Sequence, residues 1–419
     1  MDENKDEKVK SPVLPLEGIK VLDLTQAMMG ALTAMMLGDM GADVIKVERI
    51  QGEAIRKGRP AAMDDLYKEE LNKEESLDSA MWLGSNRSKR SLAIDIKTEQ
   101  GKEIIFKLAK ETDVFMQNFR PGVIERLELG YDTISEINPQ VIYCSIYGFG
   151  KTGPLARRVG GDMWSQAMGG AISQIGTPDG PPSMVPFIFV DHGGAVMTAY
   201  GIMLALFARE RTGMGQDLDV SQLDVMMALQ TTEMSTYLVE GIQRTKVGRG
   251  NPIFSPFCAK DGDVMVMLGV GPTWPVFCRV LDVVHLEKDP RFETETARFE
   301  NAEELYTILD EAFSKKTRLE WQQIFRENRL RCDPCLTYEE LFAHPQVEAN
   351  EMVVDLKHPK RGTMKMLGIP VKLRKTPGKA DTPPPLLGQH TEEILLKLGY
   401  SNKDVEELSN KKVIVKAVK

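Results

Sequence analysis

The sequence predicts an α/β protein with a parallel, doubly wound central sheet. Short apolar runs rich in Val, Ile and Leu recur through the first half of the chain, and helical segments separate them. Strands that are buried on both faces have this composition. Because crossover connections between parallel strands are right-handed, alternating strands and helices wind into a sheet with helices on both sides.

The first strand–helix–strand unit begins after Pro12 and Pro15. Gly18–Thr25 predicts a strand, Ala31–Gly41 predicts a short helix that ends in glycine, and Ala42–Glu48 predicts a second strand. This segment therefore predicts a βαβ unit, in which a helix joins two parallel strands.

Further strands are predicted downstream, at Ser91–Ile96, Asp113–Gln117, Gln140–Ile146 and Asp217–Val220. Thr98 is placed to cap the helix that follows the first of them. Phe187–Val190 predicts a short strand that stops at Asp191, and a long apolar helix is predicted over about Ala195–Arg209. All of these elements extend the pattern of a parallel sheet.

Three segments depart from this alternation of strands and helices. Residues 1–11 are mostly charged, which predicts a disordered tail, and the acidic stretch 62–80 predicts an exposed excursion. Residues 235–335 predict a smaller, separate α+β domain. Its predicted elements are a hairpin and two helices, at Cys258–Leu268, 303–314 and 319–328.

Composition excludes several classes of protein. The 419 residues are 42% hydrophobic and 27% charged, which is ordinary for a globular protein and excludes wholesale disorder or a fibrous repeat. The 53 basic and 61 acidic side chains give a net charge of −8. Proteins that bind nucleic acid or anionic membranes usually carry basic surfaces, so neither partner is expected.

Three observations predict a reduced, cytoplasmic protein. The five cysteines are odd in number and scattered, unlike a disulfide framework. The first residues lack the apolar core of a secretory signal. The most apolar long stretch, Ala195–Ala208, is shorter than the ~20 residues that a membrane span needs.

Familiar cofactor and metal motifs are missing from the sequence. It has no GxGxxG after the first strand, no GxxxxGK[ST] and no HExxH. Cys332 and Cys335 form a lone CxxC without the second pair that a zinc site needs, so both are expected to be buried structural thiols. No metal site is predicted.

Asp191 is the strongest candidate for a reactive residue. It stands where an apolar segment meets the start of a helix, and Gly193 and Gly194 follow it. Ligands of open parallel sheets bind beyond the carboxyl ends of the strands. A carboxylate kept ionised there by a helix N-terminus can attack an activated acyl group, while the glycines allow backbone N–H groups close to an oxyanion. A simple helix cap is the alternative for Asp191, and also for Asp162, the second acidic candidate.

Basic side chains stand near the ends of several predicted strands. They are Arg49, Lys97, Arg126, Arg157 and Arg158. At the carboxyl edge of a sheet such groups could hold a polyphosphate. Each of them, taken alone, also fits a solvated surface charge.

An ordered set of segments resembles CoA-transferase family III, which includes formyl-CoA transferases, carnitine CoA-transferases and the α-methylacyl-CoA racemases. The set runs from about residue 14 to about residue 400. It consists of Leu16–Asp23, Gly41–Arg49, Lys89–Leu92, Asn118–Gly122, Gly148–Gly150, Thr212–Gln216 and Leu387–Thr391. No single segment is decisive, but their order is specific.

The resemblance implies a Rossmann-like large domain that is built from both ends of the chain, with the smaller domain between them. Residues 12–225 and 340–419 would form the large domain, and residues 235–335 the small one. The resemblance also implies an interlocked homodimer, in which two ring-like chains pass through each other. A heteromer with a paralogue is the alternative.

The resemblance further implies that the protein moves CoA from a donor acyl-CoA to an organic acid. Asp191 falls on the family's nucleophilic aspartate and would react through an aspartyl anhydride and an aspartyl-CoA thioester. Coenzyme A thioesters would be substrates, and no permanently bound cofactor is expected. Water must be kept out, because it would hydrolyse these intermediates.

The resemblance assigns binding residues as well. The CoA-contacting positions map to Ala27, Met28, Arg49, Ile94, Lys97, Asn118 and Arg126. Among them, the basic side chains would contact the phosphates of the nucleotide. Asp162 maps to a frequent acidic partner near the active site. A lysine that contacts CoA in formyl-CoA transferases falls on Val159, so Arg157 or Arg158 would replace it.

Differences from the family pattern limit the substrates and reactions that we expect. The glycine-rich active-site loop of formyl-CoA transferases is not found, which argues against formyl or oxalyl groups. The racemases carry a histidine where this chain has Gly161, so one of their two bases is missing and an acyl-CoA racemase or epimerase is disfavoured. A non-catalytic subunit that binds CoA esters in a hetero-oligomeric transferase is the third hypothesis, and the presence of Asp191 argues against it.

Overall fold

The computed structural model describes residues 13–57, 78–243, 246, 248–249, 254–268 and 271–417. The tail at 1–11 and most of the acidic stretch 62–80 therefore lie outside the described residues. The chain divides into two compact units. The larger comprises Met1–Ala171, Val185–Thr236 and Glu348–Lys419, and the smaller comprises Ile172–Met184 and Tyr237–Val347.

The chain up to residue 240 alternates strands with helices. The strands are β1 (Lys20–Asp23), β2 (Asp43–Glu48), β3 (Arg90–Ile94), β4 (Val114–Gln117), β5 (Ile142–Tyr147) and β6 (Gln216–Ser221). The helices are α1 (Met29–Asp39), α2 (Ala54–Lys57), α3 (Ala80–Ser85), α4 (Glu99–Ala109), α5 (Val123–Arg126), α6 (Tyr131–Ile137), α7 (Asp162–Met168), α8 (Phe189–Thr212), α9 (Gln222–Ala228) and α10 (Thr231–Glu240).

The rest of the described chain is helical with short antiparallel strands. The strands are β7 (Phe254–Ala259), β8 (Gly262–Met267), β9 (Cys332–Pro334), β10 (Val353–His358), β11 (Gly362–Leu367) and β12 (Ile414–Val415). The helices are α11 (Trp274–Val280), α12 (Glu295–Glu300), α13 (Ala302–Phe313), α14 (Arg318–Glu327), α15 (Tyr338–Ala343), α16 (Pro345–Ala349), α17 (Thr391–Lys397) and α18 (Asn402–Asn410).

The larger unit is built on a seven-stranded sheet with the order β12–β3–β2–β1–β4–β5–β6. All neighbouring strands run parallel except β12, which pairs antiparallel with β3. The prediction of a mostly parallel sheet is confirmed. The order 3-2-1-4-5-6 is that of Rossmann folds, and its winding reverses between β1 and β4. Loops after these two strands therefore meet at a topological switch point, where ligands of such sheets bind.

Helices cover both faces of this sheet, which is why its central strands β4 and β5 are buried along their whole length. On one face, helices α4, α17 and α18 contribute Ile104, Leu395 and Leu408 to a core that includes Phe115. On the other face, α1 and α8 bring Leu37 and other apolar side chains against the strands. Helix α4 begins as predicted, because the Thr98 Oγ1 accepts a hydrogen bond of 3.0 Å from the Gly101 amide.

One expectation about the larger unit is wrong. Phe187–Val190 is not a strand, because helix α8 already begins at Phe189. A run of four apolar residues fits the first turn of a buried helix as well as a strand. The stretch after Lys397 adds two elements that the sequence did not predict. It forms α18 and then β12, in which Ile414 pairs with Ile94 at the edge of the sheet.

Helix α8 is long and apolar enough to cross a membrane by length and composition alone. Its residues Ile202 and Leu206 are nevertheless buried in the core against the sheet. The core helix of a soluble protein passes the same test of length and composition, so this helix is weak evidence for a membrane span.

The smaller unit contains a three-stranded antiparallel sheet in the order β7–β8–β9. The predicted hairpin corresponds to β7 and β8, and the two predicted helices correspond to α13 and α14. Its core is aromatic and includes Phe257, Phe277 and Phe313. Cys332 is buried there as expected, but Cys335 is exposed, because β9 ends before it.

Candidate functional site

Two cavities lie along the carboxyl edge of the parallel sheet, around the switch point. The first has a volume of about 310 Å³ and is lined in part by Arg49, Ile94 and Lys97. The second has a volume of about 290 Å³ and contains Asp191. Gln26 and Phe119, from the loops after β1 and β4, line both cavities. The two spaces therefore adjoin across these loops.

A larger cavity of about 520 Å³ lies at the opposite edge of the sheet, where β1, β2 and β3 begin. Its cations are mostly paired with acids. Lys20 lies 2.7 Å from Glu111, and Arg90 lies 2.6 Å from Asp43. Ligands of open parallel sheets bind at the carboxyl edge, so this cavity is not the candidate site.

Asp191 lies in the first turn of α8, and two side chains fix it from different directions. The Gln222 Nε2 donates a hydrogen bond of 2.7 Å to Asp191 Oδ1. The Asp162 Oδ2 accepts hydrogen bonds from the backbone amides of Val190, at 2.6 Å, and of Asp191 itself, at 3.0 Å. Asp162 is in turn held by Gln166, whose Nε2 donates to Asp162 Oδ1 at 2.6 Å. Asp162 thus caps the helix that carries Asp191.

The surroundings of Asp191 disfavour its charged form. Burial and the neighbouring charge of Asp162 raise the pKa of Asp191 to about 6, although the hydrogen bond from Gln222 and the charge of His192 oppose this rise. A partly desolvated carboxylate of this kind is ionised at neutral pH and is less masked by water than a surface carboxylate.

The raised pKa predicts an acid limit to any reaction in which Asp191 is the nucleophile. Since the protonated acid does not attack, the rate should fall as the pH drops through about 6. Replacing Asp162 with asparagine removes a like charge and should move this limit to lower pH. A pH profile of kcat/KM, which reports the ionisations of the free enzyme, measures the shift for both proteins. A limit near 3.8, the ordinary value for aspartate, would contradict the prediction.

The structure gives Gly193 and Gly194 a different role from the one predicted. The amide of His192 already donates to the carbonyl oxygen of Ile188, so both glycines lie inside the hydrogen-bonded helix and their amides are not directed at an oxyanion. A Cβ on Gly194 would lie 2.6 Å from the side chain of Met29, and one on Gly193 would lie 2.8 Å from that of Leu229. The glycines therefore permit close helix packing.

The loop after β1 is held by side chains from two other segments. Asn118 accepts a hydrogen bond of 2.8 Å from the Gln26 amide and donates one of 2.6 Å to the Gln26 carbonyl oxygen. The amide of Ala27 donates to Glu53 Oε2 at 3.2 Å. Ala27 has a φ of 63°, which is uncommon for a residue other than glycine and is sustained by these contacts.

Buried charges lie directly beneath this loop. The Lys46 Nζ is 2.6 Å from Glu53 and 3.5 Å from Asp23, and it also donates to the Thr25 carbonyl oxygen. Lys89 lies 3.3 Å from Asp23, and burial lowers its pKa to about 8. Two cations and two anions without access to water thus support the loop that separates the two cavities.

The structure brings most of the predicted site residues together but not all of them. Ala27, Met28, Asn118, Arg158 and Asp191 line the second cavity, while Arg49, Ile94 and Lys97 line the first. The other two predicted basic residues, Arg126 and Arg157, are exposed and line neither cavity.

Sequence reasoning missed Gln222, Lys46 and Glu53. An isolated glutamine carries no pattern, and Lys46 looks like an ordinary charge within a strand. Among the residues that the structure describes, no group of three or more His, Cys, Asp or Glu side chains could hold a metal ion.

Comparison with known proteins gives consistent results along the whole chain. Residues 16–391 match the family model described as CoA-transferase family III. The chain is 34% identical to the Homo sapiens succinyl-CoA:glutarate CoA-transferase, covering 96% of this chain and 90% of that protein. It is 31% identical to the formyl-CoA:oxalate CoA-transferase of Streptomyces coelicolor, covering 95% and 99%. The crystal structure of a CAIB/BAIF family protein from Brucella suis has a TM-score of 0.83, at 31% identity, over 93% of this chain and all of that one.

Proposed function

Because the chain belongs to CoA-transferase family III, we propose that it transfers coenzyme A from a donor acyl-CoA to a dicarboxylic acid through covalent intermediates on Asp191. One observation carries the assignment of the nucleophile. Asp191 is a partly buried carboxylate that lines a cavity at the switch point of the sheet, beside a second cavity with basic side chains. A nucleophile for a thioester needs this combination of access and incomplete solvation.

Coenzyme A would lie along both cavities. Its phosphates are at one end and its reactive sulfur is at the other end of a neutral pantetheine arm. Arg49 and Lys97 in the first cavity suit the phosphates, and the buried Ile94 offers an apolar floor. The arm would pass between the cavities beside Gln26 and Phe119, and the thioester would then lie at Asp191.

The reaction would proceed in four balanced steps. The Asp191 carboxylate attacks the thioester carbonyl of the donor, the C–S bond breaks, and a mixed anhydride and CoA thiolate form. The thiolate attacks the aspartyl carbonyl, which releases the donor acid and leaves an aspartyl-CoA thioester. The acceptor carboxylate displaces the thiolate to give a second anhydride. The thiolate then attacks the acceptor's acyl carbon, which yields the new acyl-CoA and restores Asp191.

A dicarboxylic acceptor fits the charges around Asp191. Arg120 and Arg158 line the same cavity, so a second carboxylate on the substrate would meet basic side chains. The names of the two relatives above, glutarate and oxalate CoA-transferases, also contain dicarboxylic acids. Of the two arginines predicted to replace a CoA-contacting lysine, Arg158 is the one that lines this cavity.

A screen of purified protein tests the proposed function. Succinyl-CoA and acetyl-CoA serve as donors, and a panel of mono- and dicarboxylic acids serves as acceptors. New acyl-CoA formed only with dicarboxylic acceptors is the expected result. Incubation of a 2-methylacyl-CoA in heavy water without any acceptor is a further test, in which deuterium uptake at C2 would instead identify a racemase. Tight CoA binding without turnover would identify a non-catalytic subunit.

The phosphate-binding role of Arg49 and Lys97 predicts a change in KM. The double variant Arg49→Ala/Lys97→Ala should raise the KM for the donor by about tenfold or more, with kcat within about threefold of the original, because both ground and transition states lose the same contacts. Steady-state kinetics with varied donor measures both constants. Lys110→Ala, which removes an exposed lysine at the opposite edge of the sheet, is the matched control. An unchanged KM in the double variant would contradict this placement of the nucleotide.

The active form is proposed to be a dimer. Val196, Tyr200, Met203, Leu204 and Phe207 repeat at helical spacing along α8, and each is at least 41% exposed. A contiguous apolar stripe of this kind is typical of a surface that a partner covers. Light scattering of the purified chain tests whether a homodimer forms, and a monomer that becomes active only with a paralogue would support the heteromer. The cytoplasmic location stays a prediction from the sequence.

A further inference from the structure

Gln222 is the side chain that directly contacts the carboxylate of Asp191. It begins α9 immediately after β6, and it is 8% exposed. Ser221 caps this helix by accepting a hydrogen bond of 3.0 Å from the Asp224 amide, which fixes the backbone of Gln222 at the carboxyl edge of the sheet. The glutamine therefore reaches the cavity from a rigid position.

The hydrogen bond between them has a defined direction. An ionised carboxylate only accepts hydrogen bonds, so the amide nitrogen of Gln222 must face Asp191 Oδ1, at 2.7 Å. The opposite side of the amide, Oε1, faces Gly160, where a Cβ would lie only 3.1 Å away. This contact occupies Asp191 Oδ1, and Oδ2 has no hydrogen-bond donor among the residues that the structure describes, so it can attack.

The amide nitrogen of Gln222 carries a second hydrogen. The structure gives that hydrogen no acceptor among the residues it describes, and Gln222 lines the same cavity as Asp191. The backbone donors at the start of α8 are occupied. The amides of Val190 and Asp191 donate to Asp162, and that of His192 donates to Ile188. A negative charge that develops beside Asp191 therefore needs a donor other than the start of α8.

We propose that Gln222 is a further catalytic residue, which orients Asp191 through one N–H and donates the other to the carbonyl oxygen of the thioester under attack. The inference rests on the proposed nucleophilic role of Asp191. As the aspartate oxygen adds to the carbonyl carbon, the C=O electron pair moves onto its oxygen, and the second N–H of Gln222 stabilises that charge. When the C–S bond breaks, the pair returns and the hydrogen bond weakens. A donor that strengthens its contact only in the transition state raises kcat rather than affinity.

The charged groups around Asp191 determine in which direction the loss of Gln222 would shift the acid limit of the reaction. Asp162 disfavours ionisation of Asp191, while His192 and the hydrogen bond from Gln222 favour it. Arg120 and Arg158 line the same cavity. Removing the Gln222 donor should therefore raise the pH below which transfer fails, whereas loss of a merely structural side chain would leave that limit unchanged.

Two variants test the proposal. Gln222→Met keeps the side-chain length without polar atoms and should lower kcat about 100- to 1000-fold, the range found when a single oxyanion donor is removed. The KM for the donor should stay within about threefold, and the acid limit should move to higher pH. Gln222→Glu keeps the side-chain volume, so it replaces the methionine variant as the test if that variant misfolds. It adds a like charge and should move the acid limit further upward. Gln140→Met, at an exposed glutamine outside both cavities, is the matched control.

The outcomes separate this proposal from the proposed function. A kcat within about threefold of the original, together with an unmoved acid limit, would overturn the role of Gln222. Trapping the unaltered protein with hydroxylamine in the presence of donor distinguishes a failure of the Gln222 inference from a failure of the proposed nucleophile. A hydroxamate on Asp191 in the unaltered protein, with normal kinetics in both variants, refutes the inference alone. Turnover in the unaltered protein without any adduct on Asp191 refutes the nucleophile and, with it, the inference.

Discussion

Replacing Asp191 with alanine is expected to reduce CoA transfer at least about 10⁴-fold, since a covalent route loses its only nucleophile. The affinity for CoA should change by less than about threefold, because Arg49 and Lys97 lie in the other cavity. Rates with succinyl-CoA and a dicarboxylic acceptor, together with calorimetric binding of CoA, measure both quantities.

A matched control for Asp191→Ala is Asp132→Ala, at an exposed aspartate in the first turn of α6. Its rate should equal that of the original protein. Transfer by Asp191→Ala within about tenfold of the original would show that another group attacks the thioester. Loss of CoA binding in the same variant would show that the aspartate holds the ligand rather than attacks it.

Replacing Lys46 with methionine is expected to destabilise the protein by about 3–5 kcal/mol, the cost of removing one partner from a buried ion pair. Lys46 is fully buried, and it is the cation that contacts both Asp23 and Glu53. The loop after β1 should also lose its support, because Lys46 donates to Thr25 and Glu53 accepts from Ala27. Urea unfolding measures the loss of stability. The KM for the donor should rise because the loop after β1 is less well supported.

A double variant separates charge from packing at this position. Glu53→Gln removes the anion that Lys46→Met leaves behind, so Lys46→Met/Glu53→Gln should be more stable than Lys46→Met alone. Lys20→Met breaks an exposed pair with Glu111 and should cost no more than about 1 kcal/mol. If Lys46→Met costs no more than Lys20→Met, the buried cluster does not stabilise the fold.

The fold could be read from the sequence where apolar runs were long and separated by helices. Strands β1 to β5 follow from this pattern, because strands that a sheet buries on both faces are rich in Val, Ile and Leu. The pattern failed at Phe187–Val190, where the last two residues of an apolar tetrapeptide already belong to a helix. It also failed at β12, whose two residues are too few to show a period. Short segments carry no periodicity, and tertiary packing decides them.

The candidate site was predictable where a residue stood out locally. Asp191 follows an apolar run and precedes two glycines, so its position at the edge of the sheet could be inferred. Its environment could not, since Gln222 and Asp162 reach it from segments about 30 residues away in sequence. The same limit applies to Glu53, whose hydrogen bond with the Ala27 amide joins residues 26 positions apart. Contacts of this kind come from topology, which local pattern does not encode.

Trapping of the covalent intermediate tests the central claim most directly. Purified protein is incubated with succinyl-CoA and hydroxylamine, and its peptides are analysed by mass spectrometry. We predict a hydroxamate at Asp191 that forms only when donor is present and that is missing from Asp191→Ala. A protein that transfers CoA under these conditions while Asp191 stays unmodified would contradict the account.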